Sequence, residues 1–112
     1  MKIYHNPRCR KSREGVQYLT DKKLNFEIFD YLKEGVSEDD IKSILKKLNM
    51  SAIEIVRKNE KIWKDNFKGK ELKEDQIISI LCEEPKLIER PIIIHKNKAV
   101  IGRPKENIDS LL

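Results

Sequence analysis

The chain has 112 residues, enough for one domain with a modest hydrophobic core and no need of covalent staples. Hydrophobic and charged residues each make up 38%, and the apolar ones recur at regular periods, which argues against disorder; apolar runs such as Ile92-Ile93-Ile94 are far too short to span a bilayer. The formal charge of +5 comes from lysines interleaved with acids, the pattern of a solvated surface, and only Arg8 to Arg13 is dense in cations without an acid.

In chain order, Lys2 to His5 suits a short strand, and the start shows no export signal, so a cytoplasmic protein is expected. Past Pro7 a helix can begin near Cys9 and run to about Lys22, with Val16 and Leu19 on one face. Leu24, Phe26 and Ile28 alternate with Asn25 and Glu27, the period of a second strand. Ser37-Glu38-Asp39-Asp40 opens a helix whose Ile41, Ile44, Leu45 and Leu48 form one apolar stripe. Ser51-Ala52-Ile53-Glu54 is a capping-box sequence. Another helix is expected from about Lys73 to Glu84, stopped by Pro85. Pro91 to His95 and Lys98 to Ile101 read as strands joined by the turn Lys96-Asn97, hence an antiparallel hairpin. Ile108 and Leu111 close the chain as a helix. The first two strands, joined by a helix, must run parallel with a right-handed crossover. This order is that of an α/β, thioredoxin-like fold: a four-stranded mixed sheet in one domain, residues 1–112, with a helical insert at about 37–88 before the third strand.

The chain has two cysteines, Cys9 and Cys82, in no zinc-like spacing, and free thiols are the expectation. Structural free cysteines are usually buried among apolar neighbours, and Cys9 has none from Asn6 to Glu14. Its place at a helix N-terminus supplies unpaired backbone N–H groups, and Arg8, Arg10, Lys11 and Arg13 add positive charge. Both would favour the thiolate and attract an oxyanion to it. Ser12 occupies the position that a second cysteine takes in C-x-x-C. Either the cycle borrows a thiol from another molecule or the protein is not an oxidoreductase. Gly15 stands six positions after Cys9, where the phosphate-cradling loop of low-molecular-weight tyrosine phosphatases would need arginine.

Four segments carry a family resemblance: Tyr4-His5-Asn6-Pro7-x-Cys9 with Ser12-Arg13, Val56-Arg57-Lys58-Asn59, Glu89-Arg90-Pro91-Ile92-Ile93, and Gly102-Arg103-Pro104. In this order they resemble the glutaredoxin-linked arsenate reductases, which have a thioredoxin-like fold and relatives among Spx-type proteins. The resemblance implies that Cys9 is the nucleophile that attacks arsenic, with His5 and Ser12 at the same catalytic site. Arg57, Arg90 and Arg103 would bind the oxyanion, because planar guanidinium groups can donate paired hydrogen bonds to it. Pro91 matches the cis-proline that faces the cysteine in such folds. No bound cofactor or metal is implied; glutathione would be co-substrate, and glutaredoxin the partner that completes the cycle.

Two other readings stay open. One is an Spx-like regulator that binds the RNA polymerase alpha subunit, although such regulators often carry C-x-x-C. The other is a thiol-dependent reductase of a different substrate. Direct nucleic-acid binding is not expected, because no recognised motif or aromatic–basic pattern accompanies the charge. Cys82 reads as structural, and His95 as a turn residue with no assigned role.

Overall fold

A computed structural model describes residues 1–112. The chain falls into two compact units: residues 1–35 with 90–112, and residues 36–89. No helix is long and apolar enough to cross a membrane.

The first unit is built on a four-stranded sheet. Strand β1 (Lys2–Tyr4) lies between β2 (Glu27–Phe29) and β3 (Ile92–His95), with β4 (Lys98–Ile101) beyond β3. β1 and β2 run parallel, with Ile3 opposite Ile28, and are joined through helix α1 (Arg10–Asp21). β3 is antiparallel to β1 and to β4. The tight β3–β4 turn is made by Lys96, at φ 56°, and Asn97. This is the expected thioredoxin-like mixed sheet.

Opposed residues share a sheet face, so Ile3 and Ile93 bury together under Leu19 of α1. Ile108 and Leu111 complete that core from the closing segment, Lys105–Leu111. The segment is a 3-10 helix, not an α-helix. Its three-residue turn sets Ile108 and Leu111 on one side, a spacing that serves the core as well as an α-turn would. On the other face Tyr4 packs on Phe29 and Tyr31, with ring centroids 5.0 and 5.9 Å away. Tyr31 opens a short helix, α2 (Tyr31–Glu34), capped by the Asp30 carboxylate.

The second strand is shorter than its alternation implies. Leu24 and Phe26 precede β2 and pack, half-buried, against the core, while Ile28 inside β2 is 52% exposed. β2 is an edge strand, so an apolar residue there need not be covered.

The second unit is helical: α3 (Glu38–Leu48), a 3-10 turn (Ala52–Ile55), α4 (Lys61–Asn66), α5 (Glu74–Glu83) and a 3-10 turn (Pro85–Leu87). Ser37 and Asp40 form a reciprocal capping box at the start of α3. The stripe Ile41, Ile44, Leu45 and Leu48 is buried, and α3 packs against α5, which buries Ile77, Ile78, Ile80 and Leu81. The box at Ser51 is only half made. The Glu54 carboxylate accepts the Ser51 N–H at 2.7 Å and its hydroxyl at 3.1 Å, while the Glu54 N–H turns back to the Ser51 carbonyl. It caps one 3-10 turn. Helices α2 and α4 are too short to carry a periodic signal.

Candidate active site

Cys9 is the N-cap residue of α1, with extended backbone at φ −95°, ψ 121°. Its sulfur therefore faces the unpaired N–H groups of the first helical turn. Partial burial pushes the thiol pKa up. A hydrogen bond from the Arg90 guanidinium, backbone N–H groups of Ser12 and Lys11, and the Arg90 charge outweigh it, and the net shift is downward. Burial likewise disfavours the Arg90 charge, but the hydrogen bonds and charge of Cys9 and Tyr31 raise its pKa above the usual arginine value.

Three of the four neighbouring cations expected to activate the thiol are engaged elsewhere. Arg10 and Lys11 reach Glu14 at 3.6 and 3.5 Å, and Arg13 donates to the Pro7 carbonyl at 2.8 Å. Helical spacing of three and four residues makes the first two pairs natural. The cation that acts on Cys9 comes from the far end of the chain. β3 runs antiparallel to β1 with Ile92 opposite Tyr4, so the residues just before β3 lie beside the loop just after β1.

His5 and Ser12 meet in that loop. His5 Nδ1 is 2.6 Å from Ser12 Oγ, which also accepts the Asn6 N–H at 2.9 Å. Ser12 is wholly buried. Burial lowers the His5 pKa; the Asp30 carboxylate and, more weakly, the Ser12 backbone oppose this, while Arg13 reinforces it. A neutral imidazole can accept the serine O–H at Nδ1, which leaves the serine oxygen to hold the Asn6 amide. The pair ties the loop to the helix. The contact the structure gives His5 is thus to Ser12.

Arg90–Pro91 is a cis peptide, as is Arg103–Pro104. Pro91 lies against two glycines. A Cβ on Gly15 would stand 2.9 Å from Pro91 Cγ, and one on Gly102 would stand 3.1 Å from the same atom and 2.8 Å from Ile93 Cδ1. The Gly102 N–H also donates to the Pro91 carbonyl at 2.8 Å. Gly15 and Gly102 were not among the expected site residues. A glycine inside a helix, against its low propensity, was the available signal.

Arg103 follows β4 in the first unit, exposed, with its carbonyl accepting from Asn107 at 3.2 Å. Arg57 belongs to the second unit, where its guanidinium donates to Glu60 at 3.0 Å. The structure thus gathers Cys9, Arg90, Pro91, His5 and Ser12 around one helix start. Cys82, on α5, is half-buried; burial first, then Glu38, Asp40 and Glu83, raise its pKa. No three His, Cys, Asp or Glu side chains cluster so as to hold a metal ion.

A thiol with a lowered pKa at a helix start, on this sheet, places the chain in the thioredoxin-like class. Residues 4–111 match the ArsC family, and the chain belongs to it. It is 40% identical over 110 residues to the uncharacterized protein YfgD of Escherichia coli K12, covering 96% of this chain and 92% of that protein. An arsenate reductase of Haemophilus influenzae is 37% identical over 112 residues, covering 98% and 97%. Among solved structures, an arsenate reductase from Vibrio cholerae superposes with a TM-score of 0.94 at 33% identity, covering 100% of this chain and 98% of that one.

Proposed function

We propose that the protein is an arsenate reductase with Cys9 as its only catalytic thiol, using glutathione and glutaredoxin to complete the cycle. The observation that carries this reading is the Cys9–Arg90 pair: a thiol whose pKa is lowered, with a guanidinium beside it able to hold an anionic substrate. The related proteins named arsenate reductases support the choice of substrate.

The Cys9 thiolate would attack arsenic, and one arsenate oxygen would leave as water after protonation, giving a sulfur–arsenic adduct. Arg90 and Arg103 would hold the remaining oxygens. A glutathione thiolate would then attack the Cys9 sulfur. As the new S–S bond forms, the S–As electron pair leaves with arsenic, reducing it from the pentavalent to the trivalent state as arsenite. A glutaredoxin thiolate would take the glutathione sulfur and return Cys9 as thiolate. Ser12 gives the protein no second thiol at the helix start, so both of these thiols come from outside.

The test is arsenate-dependent NADPH oxidation coupled through glutathione reductase, with glutathione and glutaredoxin supplied. Turnover by the protein and none by Cys9→Ser is expected. No arsenate dependence in the unaltered protein overturns the proposal.

A further inference from the structure

Resting on the reductase reading, we propose that a groove beside Cys9 seats the second thiol as a small peptide bearing two carboxylates and one ammonium. The groove encloses about 440 Å³ and is lined by Asn6, Pro7 and Arg8 on one side and Asp30, Leu32 and Lys33 on the other. That volume falls within the range of about 300–1,000 Å³ usual for small-molecule sites. The two sides meet because β1 and β2 are parallel. Their C-terminal ends deliver the loop before Cys9 and the first turn of α2 to the same end of the sheet.

The charges on this groove are left over from the fold's own pairing. Arg10 and Lys11 are taken by Glu14 and Arg13 by the Pro7 carbonyl, whereas the side chains of Arg8 and Lys33 form no ion pair. Both can meet carboxylates. Across from Arg8, Asp30 spends one carboxylate oxygen on the Lys33 N–H at 3.2 Å and keeps the other for an ammonium. Leu32, 39% exposed, offers an apolar surface to the methylenes between the ligand's charged groups. Arg8 directly precedes Cys9, so the groove borders the loop that presents the reacting sulfur.

The chain itself offers no substitute for this thiol. Ser12 fills the adjacent position, buried and hydrogen-bonded, and Cys82 in the second unit is held toward its protonated form. Glutathione has the required charge pattern.

The probe is S-methylglutathione, which binds but cannot react, titrated into the protein with backbone amide NMR as readout. Shifts confined to Asn6, Arg8, Leu32 and Lys33 are expected. Lys33→Glu should weaken binding about tenfold and Lys33→Arg should preserve it. In turnover, Lys33→Glu should raise the KM for glutathione by the same factor and leave the KM for arsenate unchanged. With β-mercaptoethanol as an uncharged thiol, the variant and the unaltered protein should run alike. Shifts at another surface, or equal affinity in Lys33→Glu, overturn the groove even if arsenate is reduced. Binding in the groove without arsenate turnover upholds the site and removes arsenate as the substrate.

Discussion

Cys9 shows how little a local count of charge says about a thiol. Its sequence neighbourhood is crowded with cations, yet the group that lowers its pKa against burial is Arg90, together with two backbone amides. The consequence is measurable. Arg90→Gln should slow alkylation of Cys9 by iodoacetamide at pH 7 about tenfold, because it removes a hydrogen bond and a charge that favour the thiolate. Arg10→Gln should leave the rate nearly unchanged, since Arg10 is an exposed partner of Glu14. Mass spectrometry that resolves Cys9 from Cys82 reads both effects. Equal slowing by the two substitutions would return the activating role to the local cluster. The thiol, the serine beyond it and the helix start were all legible in the sequence. So was the spacing of Glu14 from Arg10 and Lys11, which was the clue that these cations were already paired.

At the scale of elements, the site depends on how closely a loop can approach a helix. Gly15 sits inside α1, where alanine would ordinarily stabilise the helix by about 1 kcal/mol. Here an added Cβ would meet the Pro91 ring at 2.9 Å. Overpacking of that kind costs roughly 1–3 kcal/mol, so the net effect of Gly15→Ala should be a modest loss of stability in urea denaturation. The same displacement moves Arg90, and Cys9 alkylation should slow in parallel. A stabilised Gly15→Ala variant with unchanged Cys9 reactivity would mean that the ring gives way freely. Strongly periodic elements such as α3 were readable, because burial of Ile41, Ile44, Leu45 and Leu48 imposes the pattern. The short elements α2 and α4 were not. Neither was the edge character of β2, which depends on which strands become its neighbours.

For the molecule as a whole, His5 links the site to folding. Its pKa is lowered in the fold chiefly by burial, so the unfolded chain binds the proton first as pH falls. Its contribution to stability is therefore full above the ordinary histidine value of 6.5 and declines as pH falls from there through the folded value. Below that it falls no further. Urea midpoints measured between pH 7 and 5 should show this slope, and His5→Gln should flatten it. An unchanged slope in the variant would assign the acid sensitivity to other groups.

What the sequence determined by itself was local: the periods that make strands and helices, the cap that starts α3, a lone thiol at a helix start and a serine where a second thiol could have been. Each of these follows from residues within a turn or two of one another. Tertiary structure decided which cation reaches the thiol, which cations are left to face the groove, and why α1 needs a glycine against Pro91. The groove requires β2 to lie parallel beside β1, and the other two outcomes require β3 to lie antiparallel on its other side, a pairing across nearly the whole chain whose partner and register no local pattern specifies.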